Sequence, residues 1–346
     1  MPLASLSRAS ILFLQRSIVD FFAHNARILP WRQQRSVYHT LVSEIMLQQT
    51  QVKTVIPYFE RWIQRFPSLE ALAQADATEV LHLWEGLGYY NRAHSLRHIA
   101  KTISQQAHIP STPDEWKTLP GIGHYTAAAI ASLAQNTPIA VVDGNVVRVL
   151  ARFWNIHRLF DHKGQALTYL CPIADQCLDR AHHALYNEGM MELGATLCLP
   201  QNPHCPSCPL RSHCQAHAHG TAQKIPRFQM TVYRKVCRAR GIYLRGHELW
   251  LSPMNQHSKA APLIWEFPEI SLSDHNTSIA SPIFTGRRSI GHTHFTERFY
   301  VIEFLKNTVT PHTGQWHSLT ELNRLTLSGP HRKWFPKLQK VFSRDL

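Results

Sequence analysis

Apolar residues recur at helical spacing from the start of the chain. Ile11, Leu14, Ile18, Phe21 and Phe22 fall on one face of a helix over residues 7–24. Residues 26–32 break that pattern, because Pro30 disfavours helix at the residue before it. A second helix is predicted over about 37–49. Val37, Leu41 and Ile45 share one face, with Tyr38, Val42 and Met46 beside it and Glu44 at its margin. Helical periodicity continues through 51–65, 76–84 and 91–106, interrupted by a turn at Gly86-Leu87-Gly88-Tyr89-Tyr90. No alternating strand pattern occurs up to about residue 215. The texture changes after Gly220. Residues 236–244 and 248–251 flank a turn at Gly246 and predict a hairpin. Residues 299–304 predict another strand, 263–268 form an apolar run ending in a turn, and 316–341 return to helical spacing. The pattern therefore predicts a mainly α region over 1–216, a linker over 217–231 and an α+β domain over 232–346.

Length agrees with this division, since 346 residues exceed one small domain. Charge adds a partner. Lys and Arg number 36 against 23 Asp and Glu, a formal +13. The excess is uneven: residues 1–224 carry 19 basic and 15 acidic side chains, and 225–346 carry 17 and 8. Such a balance favours a polyanion, although it also serves solubility. No run approaches the ~18 apolar residues of a membrane span. The seven cysteines are clustered rather than spread. That points to a reducing, intracellular setting rather than a secreted disulfide framework.

Cys198, Cys205, Cys208 and Cys214 have the spacing C-x6-C-x2-C-x5-C, with Pro200, Pro203, Pro206 and Pro209 interleaved. Four thiols in so short a proline-rich loop predict one soft-metal centre, zinc or iron–sulfur. The single asymmetric loop favours a 4Fe–4S cluster over two separated zinc knuckles. Cys171, Cys177 and Cys237 are expected as buried small hydrophobes. Arg211 and His213 lie inside the loop, where they could meet phosphate or simply face solvent.

A second motif runs through Leu119-Pro120-Gly121-Ile122-Gly123, a small-residue helix, and the run Ile139-Ala140-Val141-Val142 that stops at Asp143. Glycines let a backbone approach closely, and N–H groups opening the next helix can accept an anion. Asp143 is placed to cap the helix that follows, and a helix N-terminus favours its charged form. Glu44, beside an apolar face, is expected to have a raised pKa. Two carboxylates pushed apart in this way suit an acid and a cation stabiliser in glycosidic chemistry.

The cysteine spacing, the hairpin turn and the aspartate together resemble the endonuclease III-type helix–hairpin–helix DNA glycosylases. The hairpin itself corresponds to about 112–134 and the cluster loop to 198–214. Ser43–Val52, Trp84–Tyr90, Val142–Leu150 and Asn187–Ala195 are similar to the branch that removes adenine mispaired with 8-oxoguanine or guanine, the MutY branch. The resemblance implies base excision from double-stranded DNA by a monomeric chain carrying a 4Fe–4S cluster on the four cysteines. It implies Glu44 as acid and base, Asp143 as stabiliser of an oxocarbenium-like sugar, and Tyr125 and Asn145 as residues that hold Asp143 and the sugar. Arg27 and Trp31 would line the base pocket. Gln49, Thr50, Leu87 and Tyr89 would wedge into the stack, with Gly121 and Gly123 on the backbone. Glycosylase–lyases of this superfamily carry a lysine where this chain has Tyr125, so simple base removal is expected. The competing readings are an endonuclease III-like lyase and a non-catalytic iron–sulfur damage sensor.

The C-terminal residues, with Trp265-Glu266-Phe267-Pro268, Trp316-His317-Ser318-Leu319 and Arg332-Lys333-Trp334, resemble a Nudix-like domain. Glu269 and Asp274 are the only acidic residues between Phe267 and Ile283, so no nucleotide hydrolysis is expected. Phe295 and Thr296 correspond to the family's lesion-reading loop. Glu297 stands where that loop has a histidine, with His292 and His294 upstream.

Overall fold

The computed structural model describes residues 6–106, 108–230, 232–254, 264–271, 281–302, 313–322 and 324–342. In chain order the first helices are α1 (Arg8–Asn25), α2 (Pro30–Gln33), α3 (Val37–Leu47), α4 (Val52–Arg65), α5 (Leu69–Gln74), α6 (Ala77–Trp84) and α7 (Asn91–Gln106). Then come α8 (Pro113–Lys117), α9 (His124–Ala134), α10 (Gly144–Phe153), β1 (Leu159–Phe160), α11 (Lys163–Cys177), α12 (His183–Thr196), α13 (Gln215–Ala218) and β2 (Arg227–Phe228). The chain ends with β3 (Arg234–Arg245), β4 (Glu248–Pro253), β5 (Trp265–Glu266), β6 (Glu269–Ile270), β7 (Phe284–Ile290), β8 (Thr293–Ile302), β9 (Gln315–Ser318) and α14 (Gly329–Phe342). Two compact units result: Met1–Ile63 with Thr102–Met230, and Gln64–Lys101 with Thr231–Leu346.

Local signals set the helix starts of the first unit. The Ser7 and Ser36 hydroxyls accept the backbone N–H of Ser10 and His39, and Pro30 opens α2 where its missing N–H costs nothing. The core joins Leu14 and Ile18 of α1 to Val149, Leu150 and Phe153 of α10, Leu170 of α11 and Met190 and Leu193 of α12. Each such side chain contributes roughly 1.5–3 kcal/mol on burial. Gly189 lets α12 press against α1, since a Cβ there would lie 2.7 Å from an Ile18 methyl. Helix α3 is enclosed on nearly every side, with Tyr38 through Met46 buried apart from His39. Glu44 is therefore surrounded rather than marginal. Residues 217–230, expected within the linker, lie with this unit: Ile225 is buried in its core, and β2 pairs in parallel with β1.

The second unit carries a mixed sheet in the order β5-β4-β3-β8-β7, with β6 on β3 and β9 on β4. Strands β3 and β4 form the expected hairpin around Gly246, whose φ of 56° is the left-handed conformation glycine accepts. Strand β8 runs parallel to β3 and antiparallel to β7. The helix expected over 316–341 is corrected. Residues 315–318 form an edge strand, and helix begins only at Gly329. Strand β7 is an addition, hidden in sequence by Gly286, Arg287, Arg288 and Ser289. Gly286 is needed there because the Trp334 ring sits where its Cβ would be, 2.6 Å away.

Candidate active site and cysteine loop

One cleft of about 610 Å³ in the first unit gathers most of the expected residues. Arg27, Trp31, Glu44, Gln49, Thr50, Gly123, Tyr125, Asp143 and Asn145 all line it. They come from α2 and its approach, the end of α3, the start of α9 and the start of α10. Residues far apart in sequence meet because α3, α9, α10 and α12 pack on shared apolar faces.

Glu44 is 6% exposed and accepts the Tyr125 O–H on Oε2 at 2.6 Å. Burial pushes its pKa up to about 7. The tyrosine hydrogen bond and Arg32 oppose the rise, while the charges of Asp143 and Glu188 add to it. Burial, and after it the charges of Glu44 and Asp143, raise the phenol well above its usual range, so Tyr125 stays a neutral donor. The expectation that Tyr125 holds Asp143 is corrected, because its hydroxyl serves Glu44.

Asp143 caps α10. Its Oδ1 accepts the N–H groups of Asn145 and Val146, each at 2.8 Å, and its Oδ2 accepts the Asn145 amide at 2.7 Å. The expected lowering of its pKa is not found. Burial raises it and outweighs the three N–H donors and Arg148. Asn187 fixes the extended approach to Asp143: it accepts from Val141 N–H at 3.0 Å and donates to the Ile139 carbonyl at 2.9 Å. Asn145 in turn accepts from Arg148 at 2.7 Å, and Arg148 also donates to the carbonyls of Gly194 and Cys198. Gly194 is required at this crossing, since its Cβ would fall 2.5 Å from that of Asn145.

The sequence reading missed a lattice of arginines and glutamates in the cleft wall. Arg27 pairs with Glu192 at 2.6 Å, Arg32 with Glu188 at 2.9 Å and Glu192 at 3.0 Å, and Arg35 with Glu188 at 2.5 Å. The available signal was Glu188 and Glu192, four apart on α12 among Tyr186, Met190 and Leu193, and so directed inward together. Burial raises Glu192, but Arg27 and Arg32 outweigh it and hold the carboxyl below the usual range. Trp31 is 8% exposed, its ring meeting the edge of Phe59 at 5.4 Å. Gln49 adopts a left-handed φ of 58°, uncommon for a residue with a side chain.

In the hairpin, Gly121 has φ 82° and turns the chain without lining the cleft. Gly123 starts α9 with an extended backbone, no side-chain cap and open space where a Cβ would point. Leu87 and Tyr89 belong to the second unit. Tyr89 is 52% exposed with a left-handed φ of 49°. Leu87 is only 6% exposed, so of these two Tyr89 alone presents its side chain to solvent.

Phe295 and Thr296 are not in a loop. They lie within β8, paired with Arg288 and Arg287 of β7, and so face opposite sides of the sheet. The Arg238 guanidinium lies 4.5 Å over the Phe295 ring. Glu297 is wholly buried. It contacts Arg240 at 2.9 Å, Arg288 at 2.5 Å and His331 at 3.0 Å, while both arginines also bind Glu266. His294, on the exposed face, stacks on Tyr233 at 4.5 Å.

The four cysteines line one cavity of about 30 Å³ between α10, α12 and α13. Burial raises the thiols of Cys205, Cys208 and Cys214, Cys208 to about 12, and neighbouring cysteines add to this. Such thiols ionise readily only beside positive charge. Arg152 supplies some, donating to Cys198 Sγ at 3.3 Å and to the carbonyls of Leu199 and Pro200. Among the described residues no group of three or more His, Cys, Asp or Glu is placed to hold a single metal ion. Four thiols around one cavity are a donor set that either zinc or an iron–sulfur cluster accepts. Phe13 stacks on His213 at 3.8 Å, and the exposed Arg211 donates to His217 at 3.2 Å. Cys177 is buried as expected, but Cys171 and Cys237 are exposed.

Residues 42–170 match the model of the HhH-GPD superfamily of base excision DNA repair proteins. Over some three fifths of its length the chain also has the fold of solved glycosylases. A thermostable thymine-DNA glycosylase superposes with a TM-score of 0.55 at 25% identity, over 61% of this chain and 98% of its own. A non-covalent endonuclease III–DNA complex gives 0.53 at 21% identity, over 62% and 99%. Similar curated proteins are adenine DNA glycosylases. That of Rattus norvegicus is 42% identical over 60% of this chain and 42% of its own length, and that of Schizosaccharomyces pombe 37% over 63% and 52%. The chain thus spans about half the length of these relatives. Among the described residues no helix is long and apolar enough to cross a membrane.

Proposed function

We propose that this chain is a monofunctional adenine DNA glycosylase of base excision repair, acting on adenine opposite 8-oxoguanine or guanine. The observation that carries this reading is the pairing of Glu44 with Tyr125 in the cleft that also holds Asp143. The adenine nucleotide is extruded from the duplex, since its glycosidic bond is unreachable in the stack. Tyr125 donates to Glu44 Oε2, which leaves Oε1 to carry the proton. A carboxyl with a pKa near 7 is protonated often enough to give that proton to the departing purine. Asp143, held by three N–H groups, faces the positive charge that grows on the sugar. Water then completes the hydrolysis, with Glu44 as base. Tyrosine at 125 has no amine with which to form an imine, so the strand is not cleaved. Borohydride trapping of a stoichiometric covalent DNA adduct would contradict this.

The open N–H groups at the start of α9 are read as a phosphate seat. The four cysteines would hold a 4Fe–4S cluster, which when bound ties the loop into one rigid piece beside α10. An anaerobic preparation without the broad visible absorbance of such a cluster would revive a zinc site. The sheet unit is read as Nudix-like and hydrolytically idle. Glu266 and Glu297 are engaged by arginines, and Glu269 pairs with Arg238 at 3.4 Å. Asp274 lies outside the described residues.

The decisive test is Glu44→Gln in single turnover on an A:8-oxoguanine duplex. Adenine release should fall by at least about 100-fold, the low end for a general acid, while DNA binding persists. Parental activity would end the assignment.

A further inference from the structure

The turn carrying Tyr89 is held by residues from the far end of the sequence. Helix α6 ends at Trp84, and Glu85 follows it. Glu85 Oε1 accepts the Leu327 N–H at 3.2 Å and Arg332 Nε at 2.5 Å, and its Oε2 accepts Arg332 Nη2 at 3.2 Å. On the other side of the turn, Tyr90 donates its hydroxyl to the Leu327 carbonyl at 2.8 Å. One residue, Leu327, therefore receives both ends of the segment. Its side chain is buried, and its backbone bridges to Trp265 of β5. Arg332 completes the clamp by also donating to the carbonyls of Leu322 and Leu325.

Between these anchors the turn is fully specified. Gly86 and Gly88 have φ of 101° and 70°, which only glycine adopts easily. The Trp84 indole N–H donates to the Gly88 carbonyl at 3.0 Å, and Arg92 donates to the carbonyls of Leu87 and Gly88, each at 3.1 Å. The Arg92 guanidinium lies 5.2 Å over the Trp84 ring and 5.4 Å from that of Tyr89. The exposed Tyr89 ring thus stands on a rigid base, in a left-handed conformation it would not keep unaided.

We infer that Arg332, with the Leu327 backbone, is a positioning element for the Tyr89 wedge, so that the C-terminal residues set how the mispair is probed. This rests on the adenine glycosylase reading above. Arg332 acts through Glu85 and the turn and touches no reacting atom. The contacts lie within one compact unit, so loss of Arg332 frees the turn without touching the cleft that holds Glu44 and Asp143.

The test is a double-mutant cycle on the full chain, reading the ratio of affinities for an A:8-oxoguanine duplex and a matched duplex. Tyr89→Ala should lower that ratio roughly tenfold, the loss of about one aromatic–base stack. Arg332→Met should lower it to a similar degree with matched-duplex affinity unchanged, and the double variant should fall no further. Glu85→Gln, which keeps the side-chain volume, should reproduce Arg332→Met and serves if that variant is insoluble. A normal Tyr89→Ala loss beside a parental ratio in Arg332→Met and Glu85→Gln would overturn the inference alone. So would full additivity. A Tyr89→Ala variant with the parental ratio would overturn the wedge reading and this inference with it.

Discussion

Glu44 and Tyr125 form the most consequential pair at the level of single residues, because one hydrogen bond tunes the group that must be protonated. A pKa near 7 means the acid form is lost as pH rises through about 7. Single-turnover adenine release should therefore be highest on the acid side and fall through that range. The Tyr125 bond lowers the Glu44 pKa, so Tyr125→Phe should move the falling limb to higher pH while slowing release. A limb that stays in place would show that another group sets it. Stability follows the same proton. The folded-state pKa lies above the ordinary value of 4.5, so the native state holds the proton longer than the unfolded chain. That contribution is complete below about 4.5 and lost as pH rises through about 7, an effect on the order of 3 kcal/mol. Glu44→Gln should match the parent in urea midpoint at pH 4.5 and exceed it at pH 8.5.

Individual elements differ in how much of them the sequence discloses. Helices α1, α3, α4, α6 and α7 were legible because each carries apolar residues at a single helical period, and Ser7, Ser36 and Asp76 cap the starts of α1, α3 and α6. Helix α3 was legible as a helix but not in its depth, since a buried glutamate looks the same in sequence as a marginal one. Strands β7 and β9 were not legible. Their apolar content is low because one neighbours a buried ionic lattice and the other is an edge. Glu297 shows the cost of such a site to sequence reading. It reads as a lost DNA contact, yet it binds Arg240, Arg288 and His331 inside the sheet unit. Burial would raise the carboxyls of Glu266 and Glu297, but His331 and the arginines hold both to about 2. Their stabilising contribution is present above about 4.5 and lost as pH falls toward 2. Burial also lowers His331, which adds to the loss below its ordinary 6.5. Glu297→Gln leaves two buried guanidiniums short of one charge. It should cost on the order of 3 kcal/mol in the denaturant stability of this unit at pH 7. An unchanged midpoint would mean Glu266 alone satisfies both arginines.

For the molecule as a whole, linear reading fails at the division of the chain. Composition placed a boundary near 217–231, and the change from helical to strand periodicity is real. Yet residues 64–101, helical in pattern like their neighbours, fold with residues from beyond 230. Nothing in their periodicity could reveal this, because the deciding contacts are Glu85 with Arg332 and Tyr90 with Leu327, more than two hundred residues apart. A chain ending after residue 230 should therefore do more than lose its sheet. It leaves Glu85, Tyr90 and the turn between them without their anchors, while the core of α1, α10, α11 and α12 keeps its packing. In hydrogen exchange at pH 7, amides over residues 85–92 should exchange at least about tenfold faster in the shortened chain, a loss of roughly 1.4 kcal/mol in local opening. Amides of α10 and α12 should keep their rates. Equal protection of 85–92 in both chains would show that the turn is self-sufficient. Faster exchange in α10 would show that the shortened chain has lost more than the second unit.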